Sequence, residues 1–159
     1  FAKNTAWSES TRVPLVIRTP SMKKKSECSR VVNLIDLYPT LIELCGLPER
    51  DVLEGRSLVP LLKNPDKKWP YPSITCTGIG SFTVNDENWR YTKYKDGTEE
   101  LYDLKNDPSE WTNLIKSKDK KALLAKAKLE KWMPKNGAPE ISVNSAKELN
   151  KRQPLDKLK

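Results

Sequence analysis

The chain has 159 residues, with 29 Lys and Arg side chains, 21 Asp and Glu side chains and no His. This length suits one domain of ordinary size, or a smaller domain with extensions. The absence of His excludes a Ser-His-Asp or Cys-His nucleophile system, an imidazole-ligated zinc site and a histidine general base. Cys28, Cys45 and Cys76 form no C-x-x-C pair, which also excludes a thiolate zinc site and a thioredoxin-type motif.

The sequence encodes no recognisable membrane or export segment. No apolar run approaches the roughly 18 residues that a transmembrane helix needs, so we expect no membrane span. The first residue is Phe1 rather than Met, and no charged and then apolar signal segment follows it. We therefore expect the chain to be a piece of a longer protein.

The net charge of +8 is concentrated at one end of the chain. Residues 1–115 carry 16 basic and 16 acidic side chains, whereas residues 116–159 carry 13 basic and 5 acidic ones. A basic end of this kind is typical of a solvated helix and tail. The alternative is a non-enzymatic module that binds a polyanion through the Lys-rich C-terminus. Trp132 is the one aromatic residue there, so we expect no nucleic-acid partner.

The first predicted elements are a strand and a helix. The short apolar run from Val13 to Ile17 predicts a buried strand. The following helix is expected to begin at Asp36 as N-cap, with Pro39 in its first turn, where a missing amide costs no hydrogen bond. Gly46 is well placed as its left-handed stop.

The middle of the chain predicts a turn, a short helix and a small antiparallel sheet. The segment from Leu53 to Leu62 is typical of a turn followed by a short helix that Ser57 caps. Asp96-Gly97 predicts a hairpin turn. Short segments rich in β-branched or aromatic residues predict four strands, at Ser73 to Thr77, Phe82 to Val84, Trp89 to Lys95 and Glu100 to Leu104.

The last predicted element is a helix from Lys120 to Trp132, whose buried face should carry Leu123, Leu124, Ala127 and Trp132. The remainder of the chain is polar with weak periodicity, and we expect it to be loosely ordered. A layer with a single parallel strand cannot cover both of its faces. We therefore expect residues 1–68 to need a further, upstream portion of protein to complete their core.

Four blocks of sequence carry a family resemblance. In chain order they are Lys3 to Leu15 (KNTAWSESTRVPL), Asp36 to Leu41 (DLYPTL), Glu54 to Leu58 (EGRSL), and Trp89 to Tyr91 with Asp96 to Leu114 (WRY, DGTEELYDL and NDPSEWTNL). Together they resemble the C-terminal portion of a sulfatase of the alkaline-phosphatase-like superfamily, in its iduronate-2-sulfatase-like and choline-sulfatase-like bacterial group.

The resemblance implies an alkaline-phosphatase-like α/β fold at its C-terminal end, followed by a small α+β subdomain with an antiparallel sheet and a C-terminal helix. Residues 1–68 would end the large α/β domain, residues 69–134 would form the subdomain, and residues 135–159 would be a basic tail. Three of the blocks, DLYPT, EGRSL and LYDL, are expected to build the scaffold.

Lys3 is the one residue to which the resemblance assigns contact with substrate. In sulfatases a lysine four residues before an aromatic, followed shortly by Arg-x-Pro, reaches the sulfate pocket, and Lys3, Trp7, Arg12 and Pro14 match that spacing. A fixed ammonium would stabilise the negative charge that develops as the ester is cleaved. The alternative is a solvated lysine near a chain end. The acidic residue that often follows the aromatic is replaced by Ser8.

The family's nucleophile is a formylglycine made from Cys or Ser in a Cys/Ser-x-Pro-x-Arg motif, and none of the three Cys of this chain lies in such a motif. The resemblance therefore implies that the formylglycine, the calcium ion and the catalytic histidines belong to an N-terminal portion. We expect no catalytic residue and no metal ligand in this chain, and no activity of the chain alone.

The resemblance implies an intact enzyme that hydrolyses sulfate monoesters, with a sulfated carbohydrate as substrate and the N-terminal sulfatase portion as partner. It also implies a periplasmic or secreted location. A phosphodiesterase or phosphonate hydrolase relative on the same scaffold is an alternative, because a shared fold does not fix the reaction.

Overall fold

The computed structural model describes residues 5–78 and 80–134. Predictions for Lys3 and for the tail at 135–159 lie outside the described residues. In chain order the elements are helix α1 (Ser8–Thr11), a 3-10 helix (Leu34–Asp36), helices α2 (Leu37–Leu44) and α3 (Val59–Lys63), strands β1 (Ser73–Gly78), β2 (Ser81–Asn85), β3 (Trp89–Lys93) and β4 (Glu99–Asp103), and helix α4 (Lys120–Glu130).

The four predicted strands form one antiparallel sheet in the order β1-β2-β3-β4. The predicted hairpin joins β3 to β4 and pairs Tyr91 with Leu101. Its turn is closed by a hydrogen bond from the amide of Tyr94 to the carbonyl of Thr98, at 2.9 Å. Gly97 has a φ of 84°, which only glycine adopts without strain, so the Asp-Gly prediction is confirmed with its physical reason.

One face of the sheet forms the hydrophobic core with α4. The predicted helix is present, but its buried face is wrong: Leu123 and Leu124 are 54% and 62% exposed, and Ala127 is exposed too. The buried residues of the helix are Ala122, Ala125 and Leu129 instead. Trp132 packs at the edge of this core, as predicted. The buried core residues are Val84, Tyr91, Leu101, Ala122 and Leu129.

Helix α2 begins and ends almost where the sequence indicates. Pro39 occupies its first turn, and Gly46 terminates it with a φ of 64°. Asp36 is the N-cap residue of α2, as predicted, but its side chain makes no capping hydrogen bond to α2. Asp36 instead closes the preceding 3-10 helix, where one carboxylate oxygen accepts from the amide of Asn33 at 2.8 Å.

The DLYPT and EGRSL blocks bind each other, which gives both a structural role. The second carboxylate oxygen of Asp36 accepts from the amide of Arg56 at 2.8 Å, and the hydroxyl of Thr40 accepts from the amide of Leu58 at 2.8 Å. Gly55 is required at this junction because a Cβ atom there would lie 2.2 Å from the carbonyl oxygen of Ile35. The prediction that Ser57 caps α3 is wrong: Leu58 occupies the N-cap position, and the Ser57 hydroxyl accepts from the amide of Val59 at 3.2 Å one residue before it.

The predicted buried strand from Val13 to Ile17 is wrong. These residues form no strand, and Val13, Leu15 and Val16 are 52%, 39% and 90% exposed. A strand exists only when a neighbouring backbone completes its ladder. Within residues 5–78 and 80–134, the four paired strands all lie in the sheet between Ser73 and Asp103, and none adds to this segment.

The division of the chain at residue 68 stays a prediction. Contacts cross that point: the amide oxygen of Asn33 accepts from the amide of Ile74 at 2.9 Å, and the guanidinium of Arg30 lies 2.7 Å from the carboxylate of Glu87. Across the described part of the chain, no helix has the length and apolar character that crossing a bilayer requires.

Candidate functional site

The candidate site lies on the second face of the sheet, opposite α4. Strand alternation places Arg90 and Thr92 of β3 on this face, with their cross-strand partners Tyr102 and Glu100 of β4. The chain segment that follows Lys3 covers the face, since Ala6 is buried and α1 begins two residues later. The segment that resembles the sulfate-contacting block is therefore fixed to the C-terminal sheet.

Arg90 holds this segment by its backbone and side chains. Its Nη1 donates to the carbonyl of Ala6. Its Nη2 donates to the hydroxyl of Ser8 at 3.1 Å. Nη1 also lies 3.4 Å from the hydroxyl of Thr11 at the end of α1. A guanidinium suits such a role because its planar fork presents several donors at once.

Glu110 completes the clamp. Its Oε1 lies 2.6 Å from Nε of Arg90, and its Oε2 accepts from the amide of Ser8 at 2.8 Å. The side chains of Arg90 and Glu110 are only 4% and 2% exposed. A buried charge is tolerated when it is paired and hydrogen-bonded. The two charges are paired here and hydrogen-bond to residues 6–11 through their other atoms, whereas Nε and Oε1, which face each other, make no hydrogen bond. We call Arg90 and Glu110, with the bonds that they make to residues 6–11, the Arg90–Glu110 clamp.

The backbone at Glu110 adopts a left-handed conformation, with a φ of 57°. This costs a non-glycine residue about 1 kcal/mol or more. The preceding Asp107-Pro108 turn holds it in place, because the carboxylate of Asp107 accepts from the amides of Trp111 and Thr112 at 3.1 and 2.7 Å. The turn is what aims the Glu110 carboxylate under the sheet.

The electrostatics of the clamp favour an intact ion pair. Burial lowers the pKa of the Arg90 guanidinium, and the carboxylates of Glu110 and Glu9 oppose that shift. An arginine starts so far above neutrality that it stays protonated in proteins. The Arg90 guanidinium therefore keeps its charge near neutral pH.

Trp7 is anchored beside the clamp by a second acidic residue. Its indole N–H donates to Oε2 of Glu100 at 3.2 Å, and the hydroxyl of Tyr94 donates to the same oxygen at 2.9 Å. Burial, and then the bond to Glu100, raise the pKa of the Tyr94 hydroxyl. Burial likewise raises the pKa of Tyr102 to about 12. Both phenols are neutral donors near neutral pH and do not act as bases there.

The structure brings together only part of the set predicted from sequence. Trp7 joins the clamp region, whereas Arg12 and Pro14 are exposed and Lys3 lies outside the described residues. Arg90, Glu100 and Glu110 were given no role from the sequence, although all three lie within a block of the resemblance. The sequence carried no clear signal for Arg90, because an arginine that alternates with aromatic residues in a strand lies on the opposite face from them, and that face is often solvated.

The described residues do not form a metal site. Between Thr5 and Pro134, leaving out position 79, no group of three or more Cys, Asp or Glu side chains could hold a metal ion. The three Cys are free and exposed. The described site thus offers anchoring and electrostatic positioning, and it contains no activated nucleophile.

Comparison with known families decides the family. A model of the family described as N-sulphoglucosamine sulphohydrolase, C-terminal, matches residues 1–136. The chain belongs to this family. The predicted resemblance to the C-terminal portion of a sulfatase is confirmed.

Curated relatives of this family member are similar over most of its length. A protein named sulfatase from Formosa agariphila is 40% identical over 114 residues, which are 71% of this chain and 22% of that protein. Arylsulfatase K from Gallus gallus is 35% identical over 129 residues, covering 72% of this chain and 24% of the relative. The chain spans about a quarter of the length of the curated relatives that it matches.

Solved structures support the fold of the family member. The structure of BT4656 in complex with its substrate D-glucosamine-2-N,6-O-disulfate superimposes with a TM-score of 0.51 at 20% identity. The match covers 61% of this chain and 23% of that one. The predicted fold class, an alkaline-phosphatase-like end with a small antiparallel sheet and a C-terminal helix, is confirmed.

Proposed function

We propose that this chain forms the C-terminal part of an enzyme that hydrolyses sulfate monoesters of a sulfated carbohydrate. The family match over residues 1–136 carries this proposal. The structural neighbour BT4656 has a disulfated glucosamine as its substrate, which agrees with the substrate class proposed for this chain. A periplasmic or secreted location belongs to the proposal through the resemblance alone.

In this proposal the chemistry of bond cleavage belongs to an N-terminal portion, which would bring the formylglycine and the calcium ion. The described residues do not fit a calcium ion, because they contain no cluster of acidic ligands. No step is therefore assigned to calcium through residues of this chain. What the chain supplies is the clamp, which fixes residues 6–11 against the sheet.

The role proposed for Lys3 is to contact the sulfate group. Only three peptide units separate Lys3 from Ala6, whose carbonyl accepts from Arg90. Anchoring Ala6 restricts the volume that a nearby ammonium can sample, and a preorganised cation costs less reorganisation when charge develops. Arg90 and Glu110 would act as positioning residues for the substrate contact.

The test is the substitution Lys3→Ala in the full-length protein that carries this chain. We expect kcat/KM for an aryl sulfate to fall about 100-fold, as happens when one preorganised donor to a transition state is removed. The matched control is Lys105→Ala, which removes an exposed lysine at a turn after β4 and should leave kcat/KM unchanged. Equal rates for the two variants would remove Lys3 from the site.

The reaction class is tested with three substrates that share the same aryl leaving group. An aryl sulfate, an aryl phosphodiester and an aryl phosphonate monoester are compared by kcat/KM. The proposal expects the sulfate to be preferred. A preference for either phosphorus ester would make the protein a phosphodiesterase or phosphonate hydrolase on the same scaffold.

A further inference from the structure

A second feature of the molecule is a cleft that shares no lining residue with the clamp. Its volume is about 370 Å³, within the size range of small-molecule sites. One part of its lining comes from the loop of residues 19–26, and another comes from α3 and the residues next to it. Four of the residues that line the cleft are lysines: Lys23, Lys24, Lys25 and Lys63.

The charge of this cleft is not neutralised by the described protein. No acidic residue is among those lining it. Counted over residues 5–78 and 80–134, none of the four ammonium groups lies within 4.0 Å of a carboxylate. Four like charges around one cavity repel each other and raise the local potential, so an anion that binds among them relieves an unfavourable arrangement.

The rest of the lining favours a sugar over a nucleic acid. Hydroxyl groups of Thr19, Ser21 and Ser26 add hydrogen-bonding capacity, and Leu44 and Leu62 supply apolar contact area. No aromatic residue lines the described cleft, so bases would find no surface on which to stack. Separated cations, hydroxyls and an apolar patch match a saccharide that carries several sulfate groups on a partly apolar ring.

We propose that this cleft binds a sulfated saccharide chain, away from the point of ester cleavage. The anionic groups would lie among the ammonium groups of Lys23–Lys25 and Lys63, which belong to two different elements. The choice of a sulfated saccharide rests on the proposed function, whereas the affinity of the cleft for a polyanion rests on its charge alone. Such a site would hold a polymeric substrate while its sulfate esters are cleaved elsewhere.

The test measures binding of a heparin-derived hexasaccharide to the full-length protein that carries this chain, by calorimetry. Changing the four lysines of the cleft to Gln should weaken binding about tenfold or more, because each substitution removes one positive charge that attracts the anionic ligand. The control changes Lys116, Lys118, Lys120 and Lys121 to Gln, which removes the same charge from exposed positions near and in α4. This control should bind nearly as wild type.

Two variants with fewer substitutions test whether the ligand contacts both the loop of residues 19–26 and α3. Lys63→Gln alone and Lys23→Gln, Lys24→Gln, Lys25→Gln together should each weaken binding, and a desulfated hexasaccharide should bind neither variant nor wild type. Melting temperatures verify that every variant is folded. The assignment is overturned if the control loses as much affinity as the cleft variant, if neither loses affinity, or if a single-stranded oligonucleotide binds the cleft as tightly.

The outcome is separable from that of the proposed function. A wild-type protein that binds the hexasaccharide through the cleft lysines but prefers a phosphorus ester would keep the cleft and reject the sulfatase. A wild-type protein that prefers the aryl sulfate, with hexasaccharide binding unaffected by the cleft substitutions, would keep the sulfatase and reject the cleft.

Discussion

The buried ion pair of Arg90 and Glu110 joins the sheet to residues 6–11. Both side chains are almost completely buried, and both bond to residues 6–11. The pair need not add net stability compared with an apolar pair of equal volume. Its effect is to make the docking of the segment directional, because Arg90 and Glu110 bond to different groups of the same short segment.

Removing one residue of the pair should lower the stability of the folded protein. We expect Glu110→Gln to lower the free energy of unfolding by about 3 kcal/mol, because it leaves the buried Arg90 charge without its counter-ion. The control is Lys128→Met, which breaks the salt bridge between Lys128 and Asp86. The side chain of Lys128 is 65% exposed. That loss should stay below about 1 kcal/mol. Urea unfolding of the full chain measures both, and equal losses would mean that the clamp is energetically ordinary.

The buried tyrosines predict a loss of stability at alkaline pH. Burial raises the pKa of Tyr102 to about 12, and it raises the pKa of Tyr91 and Tyr94 as well. Because the folded values lie above the unfolded value of about 10, their contribution is intact below pH 10 and is lost as the pH rises from there toward the folded pKa.

Tyr102→Phe should therefore make the decline in stability above about pH 10 shallower. The measurement is the free energy of unfolding in urea at a series of alkaline pH values, with tyrosinate absorbance followed in parallel. The wild-type tyrosinate signal should rise together with unfolding. An unchanged decline in the variant would show that Tyr102 ionises equally easily in both states.

At the scale of elements, the DLYPT and EGRSL blocks act as one unit through Thr40. Its hydroxyl donates to the carbonyl of Asp36 at 2.5 Å and accepts from the amide of Leu58 at 2.8 Å. Both residues of the bond between Leu58 and Thr40 are buried, with exposed fractions of 3% and 1%. The bond therefore couples the start of α2 to the turn that begins α3.

Thr40→Val keeps the shape and removes the hydroxyl, so the buried amide of Leu58 is left without an acceptor. We expect a loss of about 1–3 kcal/mol in the free energy of unfolding. Thr112→Val is the matched control, since the side chain of Thr112 is exposed. If both variants unfold at the same urea concentration, water must satisfy the Leu58 amide and the coupling is weak.

Elements with strong local signals could be predicted from sequence, and those that depend on distant partners could not. The hairpin at Asp96-Gly97 and the end of α2 at Gly46 follow from backbone rules that act over a few residues. The prediction of which side of α4 is buried is wrong because Leu123 and Leu124 are as apolar as Leu129. Periodicity alone does not show which of the two sets of residues packs against the sheet. The clamp was missed because 20 residues separate Arg90 from Glu110.

At the scale of the molecule, apolar residues cluster on a surface that the described chain leaves open. Around the 3-10 helix and α2, five large side chains outside the cleft are between 48% and 65% exposed: Leu34, Ile35, Tyr38, Leu41 and Leu47. The segment at Val13 to Ile17, which forms no strand, adds further exposed apolar side chains. Exposed apolar clusters are typical of surfaces that bind another protein. The N-terminal sulfatase portion is the occupant that the proposed function names.

This identification can be tested with two matched pairs of leucines. Leu41 and Leu47 are 57% and 58% exposed, and Leu123 and Leu124 on α4 are 54% and 62% exposed. In the full-length protein that includes an N-terminal portion, Leu41→Ser with Leu47→Ser should lower the melting temperature clearly. Burial of each leucine against that portion is worth about 1 kcal/mol or more. Leu123→Ser with Leu124→Ser should have little effect, because α4 buries its other face against the sheet. If the two pairs lower the melting temperature equally, or if neither does, the surface around α2 is not where the N-terminal portion docks.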